Sequence, residues 1–134
     1  MDNAFKYVKD KGIVHELEYM YEGRLGACRK DGGPFKISGY VDVQGCDALA
    51  NAIQGRPVSV QVGANNWEEY KSGIWKVCAK RYLDLGVLLV GMTDQYWKVK
   101  NAWGSSWGED GYIRLARGNT CGICTKGSYP TPTN

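Results

Sequence analysis

Residues 99–112 read "VKNAWGSSWGEDGY", one asparagine and two Trp-Gly pairs set between short apolar runs. Gly weakens a strand interior and an indole needs a partner for its N–H, so this is not the text of a routine strand. On its two sides "QYWKVKN" and "GYIRLA" do read as strands. Asn101 therefore stands where a strand gives way to a Trp- and Gly-rich connection, and its amide must have something to hold.

Working outward, "GVLLVGM" joins "QYWKVKN" through Thr93 and Asp94, a connection of hairpin length. Val58, Val60 and Val62 alternate as in a half-buried strand. "KISGYVDV" at 36–43 reads as a further strand, and Asn65 to Tyr70 as a short helical turn. "CDALANAIQG" reads as a helix capped by Asp47, stopped by Gly55 and followed by Pro57. At the start, Asp2 or Asn3 is a good N-cap, and Ala4, Phe5 and Val8 share one helical face before Gly12, which predicts a short amphipathic helix over 2–11. From 13 to 35 the text is loop-like, rich in Gly, charge and Tyr and closed by Pro34. The architecture this predicts is α+β: a helix and loops first, then a mostly antiparallel sheet or barrel.

Composition excludes several classes. The chain has 134 residues, 43% hydrophobic and 23% charged, as in one ordinary globular domain. It can bury a real core without metals. Its 17 basic and 14 acidic residues leave a net charge of +3. The densest basic run, "KVCAKR" at 76–81, is interrupted, so no nucleic-acid stripe is expected. No apolar run reaches the roughly 18 residues that span a bilayer, so no membrane partner is expected. "MDNAFKYVKD" is charged and is no signal peptide. The five cysteines, at 28, 46, 78, 121 and 124, suggest an oxidising compartment with one thiol left over.

Several segments together resemble the papain-like cysteine peptidases, nearest to the cathepsin L type. "MDNAFKYVKDKGI" is similar to the helix that follows the family's central Gly-Gly turn. "RPVSVQV" resembles the first strand of its right-hand domain, "LDLGVLLVGM" the His-bearing strand, and "YWKVKNAWGSSWGEDGYIRL" the Asn-bearing hairpin. "NWEEYKSGIW" and "CGICTKGSYP" extend the likeness over almost the whole chain. The resemblance implies residues 1–38 as the remnant of a left-hand domain, a helix and a loop, and 39–134 as the right-hand β-barrel domain.

In that family a cysteine thiolate attacks the peptide carbonyl and an imidazole serves as its ion-pair partner and proton shuttle. An asparagine orients the imidazole, and a Trp shields that contact from water. By resemblance Asn101 matches the orienting asparagine and Trp103 the shielding indole. The histidine position falls on Leu85. Leucine has no titratable group, so it can neither activate a thiol nor protonate a leaving amine, and Asn101 is expected to be idle. The family's C-G-[SA]-C-[WY] nucleophile motif lies about 130–150 residues before its His and Asn. None of the five cysteines sits in such a motif, and the oxyanion glutamine belongs to the same N-terminal portion. The resemblance places Gln61, Leu83, Asp84, Trp103 and Lys126 at substrate-binding positions. An amide and a lysine there make a poor hole for an apolar side chain. Ala102 and Met92, where the family commonly has serine and tyrosine, drift further towards apolar residues.

His15, the only histidine, lies far in sequence from Asn101 and reads as a surface or structurally satisfied imidazole. Cys121 and Cys124 spell "CGIC", which a redox protein could use, but no βαβ unit surrounds them. The resemblance instead implies a structural disulfide between Cys78 and Cys121. It matches Cys28 to a half-cystine whose partner lies in the N-terminal portion, and leaves Cys46 and Cys124 unassigned. Glu109 and Asp110 read as the solvated tip of a Gly-flanked turn. No metal-ligand spacing remains once Cys121 is used, and no cofactor is implied.

These readings converge on a catalytically incompetent C-terminal portion of a papain-like peptidase, serving as a structural or binding domain. Two alternatives stand beside it. One is part of an endopeptidase completed by a separate N-terminal piece, and the other a small thiol redox module on Cys121 and Cys124. The partners implied are that N-terminal portion, or a second copy through the face carrying Leu85 and Trp103. The location implied is lysosomal, vacuolar or secreted.

Overall fold

The computed structural model describes residues 1–29, 31–78 and 82–133. The chain divides into two compact units, one of Met1–Val41 with Pro130–Asn134 and one of Asp42–Tyr129.

In the first unit, helix α1 runs over Asp2–Asp10. Neither Asp2 nor Asn3 caps it: Met1 is the N-cap, and its carbonyl accepts the N–H groups of Ala4 and Phe5. Asp2 lies instead in the first turn, where a carboxylate favours the positive end of the helix dipole. Lys11 N–H to the Tyr7 carbonyl and Gly12 N–H to the Val8 carbonyl close the last turn. Gly12 then turns the chain at φ +78°, and a Cβ there would run into the Gly33 carbonyl. That close approach lets Ile13 bridge Phe35 and shuts the loop between them. The predicted strand over 36–43 is shorter, with β1 spanning Gly39–Val43.

In the second unit, α2 covers Cys46–Ile53 and begins after Gly45, whose φ is +97°. Asp47 is not its cap, because the helix has already started at Cys46. Leu49 and Ile53, four apart, form its buried face. Strand β2 (Val58–Val62) buries Val58, Val60 and Val62, as the alternation predicts. Then follow β3 (Ile74–Trp75), β4 (Leu85–Met92), β5 (Tyr96–Lys100), β6 (Tyr112–Ala116) and β7 (Gly127–Thr131). The seven strands form one sheet in the order β1-β7-β2-β4-β5-β6-β3. Antiparallel pairing joins β7 to β2, β2 to β4, β4 to β5 and β5 to β6, and the short β3 runs parallel to its neighbour β6. The core is built from alternate residues of these strands (Val60, Leu89, Trp97, Val99, Ile113 and Leu115) with Trp67, Tyr70 and Ile123 between them.

Candidate active site

Leu85 opens β4 opposite Val62, and Gly86 pairs with Gln61. Just before the strand, Asp84 donates its backbone N–H to the Val62 carbonyl, and its Oδ1 accepts the Ala64 N–H at 2.9 Å. Gln61 donates its N–H to the Lys126 carbonyl at 3.0 Å. The Leu83 side chain lies so close to Gly122 that a Cβ there would meet its Cδ2 at 2.7 Å. The end of β2, the start of β4 and the 122–126 segment therefore bring Gln61, Leu83, Asp84, Leu85 and Lys126 to one end of the sheet. Leu85 packs part of its surface against the core.

Asn101 follows Lys100, which pairs with Leu88, so it stands beside the same half of β4. It is buried, at 8% exposure. Its backbone N–H reaches the Gly111 carbonyl at 3.1 Å, which fixes the mouth of the Trp-Gly connection. Its Oδ1 turns back to accept the Ala102 N–H at 2.8 Å. Nδ2 has no partner among the described residues. Leaving such a donor unpaired costs roughly 1–3 kcal/mol, so the amide here is not optimised for stability.

The Trp-Gly connection is a stack of indoles. Trp107 donates Nε1–H to the Trp67 carbonyl at 2.9 Å, and Trp103 meets it edge-on with ring centroids 5.2 Å apart. Trp103 remains 39% exposed. Beneath it, Glu109 is no solvated tip. Its carboxylate takes both Arg114 Nε and Nη2, at 2.8 and 2.9 Å, and its Oε1 lies 2.7 Å from the Tyr70 hydroxyl. That hydroxyl is also 2.7 Å from the Gly73 carbonyl and accepts the Arg114 backbone N–H. The bidentate guanidinium holds the Glu109 carboxyl below its ordinary value. Burial, with the Glu109 contact second, pushes the Tyr70 phenol up to about 12. Asp110 alone is exposed at the tip, with φ +54°.

Cys78 and Cys121 are bonded, and so are Cys46 and Cys124. The second bridge joins the two cysteines that the family resemblance leaves unassigned. Cys121 and Cys124 are therefore not bonded to each other. Cys28 is a free, exposed thiol. His15 sits edge-on to Phe35 with ring centroids 4.5 Å apart. Among the described residues no group of three potential metal ligands occurs, and no helix is long and apolar enough to cross a membrane.

The model of the papain family cysteine proteases matches residues 1–131, and the chain belongs to that family. It is 49% identical over 133 residues to cathepsin L 2 of Paramecium tetraurelia, a match covering 97% of this chain and 42% of that protein. To procathepsin L of Rattus norvegicus it is 40% identical, over 97% of this chain and 45% of the relative. Among solved structures, a Carica candamarcensis cysteine protease in complex with E-64 superposes at TM-score 0.91 and 34% identity, covering 99% of this chain and 68% of that one. The chain thus spans less than half the length of the curated cathepsin L relatives it matches.

Proposed function

We propose that this chain is a catalytically incompetent portion of a papain-like peptidase that acts as a structural or binding domain. The observation that carries the reading is Leu85 at the head of β4, on the strand beside Asn101. A thiol protease needs a titratable base within hydrogen-bond reach of its nucleophile, and leucine supplies none. The Asn101 side chain supports the same reading, since its oxygen serves the Ala102 backbone and its N–H₂ has no described acceptor. In this reading residues 1–38 are the remnant of the left-hand domain and residues 39–134 the right-hand barrel. Gln61, Leu83, Asp84 and Lys126 line what would be the substrate wall, and Trp103 is its exposed rim. Two disulfides suit a lysosomal or secreted location.

A second reading is favoured by the length of the relatives: an N-terminal peptidase portion completes the site and is the natural partner of the Trp103 face. A second copy of the chain covering that face is the alternative occupant. Hydrolysis of a fluorogenic peptide separates the readings. The chain alone is expected to give no turnover, and Leu85→His no turnover either, because no thiol faces the new imidazole. Turnover by the parent, blocked by an epoxide thiol inhibitor, would overturn the first reading. Activity that appears only when a papain-family N-terminal portion is added would establish the second. Sedimentation velocity of the parent beside Trp103→Ser tests association through this face.

A further inference from the structure

Cys121 and Cys124 are buried, at 6% and 5% exposure, with two residues between them in one tight segment. The hydrogen bonds Gly122 N–H to Asn119 O, Ile123 N–H to Thr120 O and Thr125 N–H to Gly122 O wind the chain continuously through it. Each cysteine is bonded outward. Cys121 reaches Cys78 and Cys124 reaches Cys46, and both outer cysteines are only half-buried. Two bridges that join distant segments therefore meet at a single C-x-x-C, with the inner cysteines buried and the outer ones half-buried against the core. Cysteines at that spacing can themselves be bridged, and a thiolate attacks whichever disulfide sulfur it can reach. Cys121 also adopts a left-handed φ of +53°, unusual for a side-chain-bearing residue, so the segment is held in shape by what surrounds it.

We propose that the two disulfides form a redox-sensitive fastening in which they can be exchanged for a single Cys121–Cys124 bond. A small dithiol attacks Cys78 Sγ, the less buried end of that bridge, the Cys78–Cys121 bond breaks, and Cys121 leaves as a thiolate. The Cys121 thiolate attacks Cys124 Sγ, forming Cys121–Cys124 and expelling Cys46 as a thiolate that takes a proton from water. The second thiol of the dithiol resolves the mixed disulfide at Cys78, leaving the reagent as a disulfide and Cys78 as a thiol. One dithiol is oxidised and one protein disulfide is lost in total. The exchange frees Cys46 at the start of α2 and Cys78 while the 118–125 segment stays closed on itself. Because Leu83 rests on Gly122 and Gln61 bonds to Lys126, the end of the sheet that carries Leu85 loses two of its outer anchors.

The cleanest test needs no reductant. In Cys78→Ser the full chain carries a free Cys121 beside an intact Cys46–Cys124 bond. Alkylation and peptide mapping at neutral pH are expected to find Cys46 and the exposed Cys28 labelled, with Cys121 bonded to Cys124. Folded Cys78→Ser with Cys121 labelled and Cys46–Cys124 intact would overturn the proposal. If that variant does not fold, Cys46→Ser poses the same question from the other side, with Cys78 expected as the labelled thiol. If neither folds, limiting dithiothreitol on the parent decides. The first partly reduced species should carry free Cys28, Cys46 and Cys78, and one that retains either original bridge overturns the proposal.

Discussion

The two units are built on different terms. Every buried hydrophobic side chain among the described residues lies between Val43 and Cys124, in the second unit. There the strands bury alternate residues on a shared core and two disulfides close over them. The first unit buries no residue of α1, and its 13–29 loop leaves Leu17, Met20, Tyr21 and Leu25 exposed. What shapes it is mostly backbone hydrogen bonding: helix-terminal bonds, glycines that permit close backbone approach, the Ile13–Phe35 bridge and the bonds of Ser38 to Thr131. A helix of nine residues is marginal in water on propensity alone. The lesson is that the two halves of one chain can both look ordered while only one carries a core of its own.

The comparison breaks most sharply on a core truncation. Trp97 is fully buried, with its Nε1–H on the Gly118 carbonyl at 3.0 Å. Trp97→Ala should cost about 3–5 kcal/mol in denaturant unfolding. Leu17→Ala in the first unit should stay within about 0.5 kcal/mol, the usual range for an exposed site. A comparable loss at Leu17 would mean that the first unit is stabilised by burial after all.

A smaller effect is expected at the polar network. Tyr70→Phe removes a hydroxyl that touches Glu109, the Gly73 carbonyl and the Arg114 backbone N–H. The loss should be about 1–2 kcal/mol, since buried partners are left unpaired. In the parent, spectroscopic titration should find one tyrosine still protonated when the exposed phenols have ionised, as its pKa of about 12 requires.

The smallest effect is on acid stability. The folded Glu109 carboxyl lies below its ordinary value, so the unfolded chain binds its proton first as pH falls. Its contribution is present in full above the ordinary carboxylate range of about 4.3 and is lost as pH drops through the lowered folded value. Glu109→Gln should flatten that part of the stability profile and leave the slope near neutral pH unchanged. An unchanged acid slope would show that the Arg114 pair is too solvated to matter.

Much of this was legible in the text. The alternation of Val58, Val60 and Val62, the hairpin at Thr93 and Asp94, and the Trp-Gly connection all announce an α+β fold whose sheet dominates the second part. The fixed Trp and Gly positions carry the family likeness, and the leucine at position 85 was visible without any coordinates. These are features of spacing and identity along the chain, which a sequence records directly.

Other decisions belong to the tertiary structure, because they depend on which distant residues meet. Asp47 and Asp2 look like caps, yet the caps are Gly45 and Met1, since a cap is defined by where neighbouring hydrogen bonds start. Glu109 reads as a loop-tip carboxylate until Arg114 on β6 and Tyr70 close around it. Cys46 finds Cys124 across 78 residues, a pairing that parity permits but only the packing of α2 beside the 118–125 segment selects. The Asn101 amide is the last such case. Its chemistry was readable, but that its oxygen serves its own turn while its N–H₂ lies buried without a partner among the described residues follows only from the folded backbone around it.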